Sequence, residues 1–349
     1  MLIINLMLNI MAHTPKLEVF TINLKTSRND LSLYSFKAFL NALLIKKSEY
    51  AEEEDENMIF LDFFKLFVSQ FASGEYIKNE KDKKAMTIFR ADVEHDDCDI
   101  APHTERNVIE GKLYGGKYGL LRTRSKVNDK ARQDRVQQDD VIADQFYFFL
   151  HLPMNSHQGV LMVQSYTSES ITSLLKNKIR DLFSNIPGYL IPDIKPFYPK
   201  LFQDQFKSDG YIKKYAFSGE VLTDDLGFPI EHVDDILKVT VTIESQKGIE
   251  YEEHPTIINK IVSNRIGIKL LGSFTKKKAF IKNNTTHNES PFDINDEDLK
   301  IKPVIFLENK GITIDEYGFP DYLELKGFCF GLLEIVHGEL SLLNQISEN

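Results

Sequence analysis

Short stretches of the chain alternate hydrophobic and polar residues, and this period of two predicts β-strands. Lys16–Lys25 is the first of them. Gln145–Leu152 and Gly159–Tyr166 flank a turn that contains Pro153 and Asn155, so together they predict a hairpin. The other predicted strands, which extend into the second half of the chain, are Ala85–Glu94, Tyr211–Leu222, Ile236–Ser245, Lys278–Asn283, Lys300–Glu308 and Tyr322–Phe330.

Other stretches repeat their hydrophobic residues every three or four positions, a spacing that predicts amphipathic helices. These are Ser32–Ser48, Ser168–Phe183 and His254–Leu271. Asn57–Ala72 is apolar almost throughout, so periodicity alone does not decide its type, and we favour a helix. The predicted helices lie between predicted strands, so each has a sheet against which to pack.

The structure predicted for two neighbouring segments depends on their turn residues and their charges. Asn107–Arg124 alternates like a strand but contains Gly115 and Gly116, and this pair predicts the turn of a second hairpin. Ser125–Asp140 follows it and is rich in charge and poor in apolar residues. We expect this stretch to form an exposed, mobile loop.

The order of these elements favours an α+β fold. Strands and helices mix without the regular βαβ alternation of a parallel doubly wound sheet, so we expect mostly antiparallel sheets with helices packed on them. A chain of 349 residues favours two domains. Prolines at 187, 192, 196 and 199 predict a linker over 187–199 between an N-terminal domain at 16–186 and a C-terminal domain at 200–349. Residues 1–15 are expected to be a flexible or non-native extension.

Composition excludes several classes of protein. Hydrophobic residues make up 42% and charged residues 27%, which predicts a packed core rather than disorder. Cys98 and Cys329 stand alone, so we expect no disulfide framework, no cysteine-based zinc site and a cytoplasmic location. The apolar N-terminus is shorter than the roughly 20 residues of a membrane helix, so no stable insertion is expected. We found no cofactor motif, and the acidic cluster at 95–99 matches no metal site, so we expect neither group.

Positive charge collects in two segments of a chain whose net charge is −10. Gly111–Arg135 has eight basic residues against two acidic ones, and Pro255–Asn284 has seven basic residues and no acidic one. If they converge on one surface, they would bind the phosphate backbone of nucleic acid, DNA rather than RNA. The candidate residues are Lys112, Lys117, Arg122, Arg124, Lys126, Arg132, Arg135, Lys260, Arg265, Lys269, Lys276, Lys277, Lys278 and Lys282.

Glycines at 111, 115, 116 and 119 would also let the first segment approach phosphates closely. Two alternatives to nucleic-acid binding stay open for the basic segments. In the first, the basic segments are ordinary solvated faces of the protein. In the second, their lysines and arginines pair with the acidic runs at 52–56 and 92–99. A basic face that contacts an acidic protein partner is a further possibility.

An enzyme is the alternative of another class. Glu308-Asn309-Lys310 and Glu324-Leu325-Lys326 fall on predicted strands, as the Glu-x-Lys of a metal-dependent PD-(D/E)xK nuclease would. Asp298 or Asp315 would supply the upstream carboxylate. Because Glu-x-Lys is common on strand surfaces, the pattern favours two exposed strand faces over a nuclease, and whether the chain is an enzyme stays open.

The order of several segments resembles that of known phage-defence proteins. SFKAFLNALL is followed by FRADVE, by EGKLYGGKYG, by FYFFLHLP and GVLMVQSYTSESITSLLKN, and then by a strand-rich half with an isolated basic stretch. This layout resembles phage-exclusion and phage-defence proteins of the RexA and KwaB kind, and abortive-infection proteins of bacterial defence islands. The resemblance implies a cytoplasmic, homo-oligomeric, DNA-associating protein that acts with a second defence protein or a phage protein and need not be an enzyme.

Overall fold

The structure is a computed structural model, and it describes residues 13–27, 34–48, 53–71, 75–88, 99–119, 122–126, 128–222, 236–250, 274–284, 289–294 and 301–347. The chain divides into two compact units. The first consists of Met1–Phe197 and Phe306–Ile335, and the second of Tyr198–Ile305 and Val336–Asn349. Each unit therefore takes two separate stretches of the chain.

The strands of the first unit build a nine-stranded sheet with the order β10-β1-β9-β8-β5-β3-β2, in which β15 also pairs with β1 and β4 with β5. The strands of this sheet are β1 (Pro15–Thr26), β2 (Ile77–Asn79), β3 (Lys84–Thr87), β4 (Ile100–His103), β5 (Val108–Lys117), β8 (Ile142–His151), β9 (Gln158–Tyr166), β10 (Tyr189–Pro196) and β15 (Ile305–Phe306). A separate two-stranded ribbon joins β6 (Arg122–Lys126) to β7 (Asp129–Val136).

Three helices cover one face of the large sheet: α1 (Phe36–Ser48), α2 (Glu56–Ser69) and α3 (Thr172–Leu182). The phenylalanines of α1 and α2, and Phe183 just after α3, pack with one another and with Phe146 and Phe148 at alternate positions of β8 in one buried cluster. Asp55 caps α2 by accepting hydrogen bonds from two of its first backbone N–H groups. Aromatic rings therefore supply much of this core, as the composition of the chain indicates.

The opposite face of the same sheet is also buried. The long helix α5 (Tyr322–Ser347) begins there, and its Phe330 ring packs edge-on against Phe149 of β8 with the ring centroids 5.0 Å apart. Tyr322 meets Tyr147 in the same way at 5.5 Å. Because both faces are covered, polar side chains on this sheet need partners within the protein.

The second unit contains a four-stranded antiparallel sheet with the order β12-β11-β13-β14. Its strands are β11 (Gly210–Leu222), β12 (Ile236–Glu250), β13 (Lys276–Asn283) and β14 (Glu289–Asp293), and it also contains the helix α4 (Lys200–Ser208). Phe206 of α4 packs with Tyr215, Phe217 and Ile281 on one face of the sheet. The α+β class with antiparallel sheets is confirmed.

The predicted hairpin at Asn107–Arg124 is wrong. Gly115 and Gly116 lie inside the continuous strand β5, which pairs with β3 on one side and β8 on the other. A Cβ on Gly116 would overlap the carbonyl oxygen of Ile142 on the neighbouring strand. The glycines therefore allow close approach of strand backbones, not of phosphates.

Other predicted elements also change type. The expected loop at Ser125–Asp140 contains the last two residues of β6 and all of β7, and these two strands pair with each other. The expected proline linker contains strand β10, which pairs with β1 at the edge of the sheet, where proline is tolerated. Tyr322–Phe330 is helical, because Leu325, Cys329, Leu332 and Leu333 repeat with a helical period and are buried.

The remaining predictions fall into three groups. The helices expected at Ser32–Ser48, Asn57–Ala72 and Ser168–Phe183 are confirmed as α1, α2 and α3. Among the described residues of the predicted strand Lys300–Glu308, only Ile305–Phe306 is a strand. The segment His254–Leu271, the residues before 13 and the acidic cluster at 95–98 lie outside the described residues. Within the described part of the chain, no helix has both the length and the apolar composition needed to span a membrane.

Candidate nucleic-acid interface

The first basic segment is divided between β5 and the ribbon of β6 and β7. Arg122, Arg124 and Lys126 occupy alternate positions of β6. Strand β7 contains Arg132 and Arg135, and the backbone register places Arg124 opposite Asp134. Five candidate residues therefore fall in one two-stranded ribbon that also contains acidic positions.

The two candidates on β5 already have partners. The Lys117 Nζ lies 3.1 Å from Glu169 Oε2, and Glu169 is mostly buried. The Lys112 Nζ lies 4.9 Å from the centroid of the Tyr322 ring, a cation–π contact. In this structure both ammonium groups are engaged within the first unit, which lowers their availability to a phosphate.

Four candidates of the second basic segment lie on β13. Ala279, Ile281 and Asn283 are buried on the core side of the sheet, so Lys276, Lys278, Phe280 and Lys282 share the opposite side. Lys276 and Lys278 are exposed, whereas Lys277 points to the same side as Ala279. We call the side that bears Lys276 and Lys278 the outer face of the second sheet.

Neighbouring strands extend this outer face. The register places Ser218 of β11 opposite Lys276, and Thr240 of β12 opposite Ser218. The further outer-face positions of β12 are Lys238, Thr242 and Glu244, and all of them are exposed. The outer face is thus a polar, solvent-exposed surface with lysines on several strands.

Carboxylates lie at both edges of the outer face, Glu244 on β12 and Glu289 with Asp293 on β14. Glu289 Oε2 lies 2.9 Å from Lys214 Nζ, and this ammonium group also lies 4.6 Å from the Phe280 ring centroid. Asp293 stands opposite Lys278 in the register of β13 and β14. Lys276 extends beyond the pairing with β14, so positive charge dominates at that end of β13.

The structure leaves two parts of the electrostatic prediction untested. Lys260, Arg265 and Lys269 lie outside the described residues. The ribbon belongs to the first unit and β13 to the second. Convergence of the two basic segments on one surface therefore stays a prediction.

A buried carboxylate that the sequence analysis missed lies on β5. Glu110 has no solvent exposure. Its Oε1 lies 2.9 Å from Lys326 Nζ and 3.1 Å from His103 Nε2, and its Oε2 accepts a hydrogen bond from the Tyr322 hydroxyl. We call these four residues the Glu110 network.

The Glu110 network satisfies a charge that would otherwise be costly to bury. Burial by itself would raise the pKa of Glu110, but the hydrogen bonds from Tyr322, Lys326 and His103 together hold this pKa below its ordinary value. Two of the donors come from α5 and one from β4. The network therefore fastens the start of α5 to the large sheet.

The same network changes the interpretation of the Glu-x-Lys triplets. Glu324-Leu325-Lys326 lies on helix α5, where Lys326 pairs with Glu110 and Glu324 accepts a hydrogen bond from the Thr313 backbone N–H. Glu308-Asn309-Lys310 forms a short 3-10 turn. The predicted strand placement is wrong for both triplets, so the geometry expected of a PD-(D/E)xK nuclease is absent there.

The upstream carboxylates proposed for the nuclease give it no support. Asp315 lies in a turn and accepts hydrogen bonds from the backbone N–H groups of Tyr317 and Phe319. Asp298 lies outside the described residues. Across the residues that the structure describes, no group of three or more His, Cys, Asp or Glu side chains is placed to hold a metal ion.

A second polar cluster contains a serine, a histidine and an aspartate. His13 Nδ1 lies 3.0 Å from Ser168 Oγ, and His13 Nε2 lies 3.6 Å from Asp144 Oδ1. The second separation is too long for a hydrogen bond. The His13 ring stacks on Tyr166 with the centroids 3.9 Å apart. This cluster holds the start of β1 against the turn that follows β9.

Comparison of the chain with models of protein families finds no match. Comparison with curated proteins finds none either.

Proposed function

We propose that this chain binds the phosphate backbone of nucleic acid, DNA in preference to RNA, through the outer face of the second sheet. One observation supports this most directly. Lys276 and Lys278 are both exposed at alternate positions of β13, on a polar face that also exposes Lys238. The ribbon of β6 and β7, which contains five more basic candidates, would provide a second contact surface.

Lysines on a sheet surface suit backbone binding rather than base readout. A lysine ammonium group is a compact point charge on a flexible stem, so it meets a phosphate without demanding a fixed orientation. Phosphate contacts position a nucleic acid but do not report its sequence. The expected activity is therefore salt-sensitive binding with weak sequence preference.

We extend the proposal to a cellular role. The layout resemblance to phage-exclusion proteins supports a cytoplasmic, oligomeric DNA-binding component of a bacterial anti-phage response. A second defence protein or a phage protein would be its partner. Phage plating on bacteria that produce the chain tests this role, and equal plating on bacteria with and without the chain contradicts it.

The binding proposal is tested by measuring the affinity for a short fluorescent DNA duplex at several salt concentrations. Neutralising two phosphate contacts with Lys276→Gln and Lys278→Gln should reduce the slope of log affinity against log salt by about 1.8. An RNA duplex of the same length is measured in parallel, and we expect it to bind more weakly.

A matched control removes the same charge elsewhere. Lys65 and Lys83 are exposed and pair with Asp62 and Glu80, so Lys65→Gln with Lys83→Gln changes the net charge equally. This control should leave the salt slope unchanged. A DNA affinity that does not change with salt concentration would overturn the proposal. An equal loss of the salt slope in both double variants would also overturn it.

A further inference from the structure

Strand β12 lies at one edge of the second sheet. In the described part of the chain it pairs with β11 and with no other strand. Its register with β11 is continuous from Ile236 to Glu244, without a bulge. A regular edge strand has a row of backbone N–H and C=O groups able to pair with another strand.

The side chains of this edge strand are also incompletely covered. Val239, Val241 and Ile243 pack against the core of the second unit but are only half-buried. Thr240 and Thr242 alternate with them on the exposed outer face. A strand added at this edge with apolar residues in matching positions would complete the burial of the apolar row.

Two charged residues in the regular part of β12, Lys238 and Glu244, lie symmetrically about Val241. Lys238 lies three positions before Val241, and Glu244 lies three positions after it. Both are exposed on the outer face. If a second copy of β12 lay antiparallel with its Val241 opposite Val241, each lysine would face a glutamate.

Other registers fit less well. A twofold axis at Thr242 would put Val239 opposite Ser245, and an axis at Thr240 would put Ile236 opposite Glu244. Parallel pairing in register would set Lys238 beside Lys238. Only the axis at Val241 matches Lys238 with Glu244 and Val239 with Ile243 at the same time, so charge complementarity selects this register.

We propose that two copies of this chain associate through their β12 strands, antiparallel and centred on Val241. The two four-stranded sheets then form one continuous eight-stranded sheet. This association uses the edge of the sheet with Lys238 and Glu244, whereas the binding experiment alters Lys276 and Lys278, so the two proposals are tested separately. The association would nevertheless bring the two outer faces to the same side of a single surface.

Single cysteines test the register in the full-length chain. In a Cys98→Ser background, which leaves only the buried Cys329, Val241→Cys should form a covalent dimer under mild oxidation. Directly opposed Cα atoms lie about 4.5–5.5 Å apart, within the range that a disulfide spans. Ile243→Cys is the matched control, because its two copies would be offset by about 14 Å along the strands.

Mixing two variants sharpens this test. Val239→Cys and Ile243→Cys should each stay monomeric on non-reducing gels, and their mixture should give a covalent dimer. Monomeric Val241→Cys, or equal cross-linking of Val241→Cys and Ile243→Cys, would overturn the proposed register. None of these samples contains nucleic acid, so their outcome is separate from that of the binding experiment.

Charge reversal provides a test without cysteines. In the Lys238→Glu variant, the new glutamate of each copy would face Glu244 of the other copy. The dimer dissociation constant measured by sedimentation should therefore rise roughly tenfold. Adding Glu244→Lys should restore the dimer, because the opposite charges face each other again. A double variant no stronger than the single one, with both folded by circular dichroism, would contradict the pairing.

Discussion

The two sheets of this protein differ in whether their second face is covered or exposed to solvent. The nine-stranded sheet has α1, α2 and α3 on one face and the start of α5 on the other. The four-stranded sheet has a buried face and an exposed, lysine-bearing one. Buried charges on the covered sheet need partners inside the protein, whereas the outer face of the open sheet leaves Lys276 and Lys278 exposed to solvent.

Lys117 and Lys276 show this contrast. Both belong to basic segments, both lie on strands and both are exposed, but Lys117 forms an ion pair with a mostly buried glutamate. Lys276 is exposed and lies opposite Ser218 in the register. The density of lysine and arginine along a sequence therefore does not establish how many of them are available to a ligand.

The largest expected effect comes from the covered sheet. Glu110→Ala would leave Lys326 without its buried partner, and breaking a buried ion pair costs about 3–5 kcal/mol of unfolding free energy. Urea unfolding followed by circular dichroism measures the loss. Glu244→Ala on the open sheet is the control, since that carboxylate is 59% exposed and should change stability by less than about 1 kcal/mol. An equal loss of unfolding free energy in the two variants would contradict the difference proposed between the two sheets.

A smaller effect is expected where two strands of the covered sheet approach closely. Gly116→Ala would place a methyl group against the Ile142 carbonyl oxygen, so the backbone must shift, at a cost of about 1–3 kcal/mol. Thermal and urea unfolding would show the loss. Thr242→Ala on the outer face should stay within about 0.5 kcal/mol of the unaltered protein. A Gly116→Ala variant as stable as the unaltered protein would contradict the packing role of this glycine.

Local periodicity predicted the elements whose pattern extends over many residues. Gln145–Leu152 and Gly159–Tyr166 are confirmed as β8 and β9, and their nearly continuous apolar runs reflect burial on both faces of one sheet. Tyr322–Phe330 was misassigned because nine residues fit a period of two as well as one of 3.6. Only the continuation through Leu332 and Leu333 shows the helical period.

The sequence did not predict contacts between residues that lie far apart along the chain. Glu110 meets Tyr322 and Lys326 across more than 200 positions, and no local pattern connects them. The one signal was a glutamate inside the otherwise apolar stretch that forms the start of β5. The exposed lysines of β13 were named from charge density, and their outer-face placement followed only from the strand register.

Acid should weaken the covered sheet through Glu110. Its folded pKa lies below the ordinary value of 4.5, so the carboxylate contributes stability above that pH and loses it as pH falls through the folded pKa. Unfolding free energies of the unaltered protein and Glu110→Gln should therefore differ most at neutral pH. The difference should shrink as pH falls below 4.5, and a constant difference would contradict the depressed pKa.

The smallest expected effect concerns the engaged lysine of β5. Lys117→Gln removes a charge that already pairs with Glu169, so we expect the salt slope of DNA binding to stay unchanged. Lys276→Gln removes an equal charge from the outer face and should lower that slope by about 0.9. Both variants are titrated against the same duplex over the same salt series. A slope lowered by Lys117→Gln and not by Lys276→Gln would move the interface to the first basic segment, because the lysine paired with Glu169 would then be the one that reaches the phosphates.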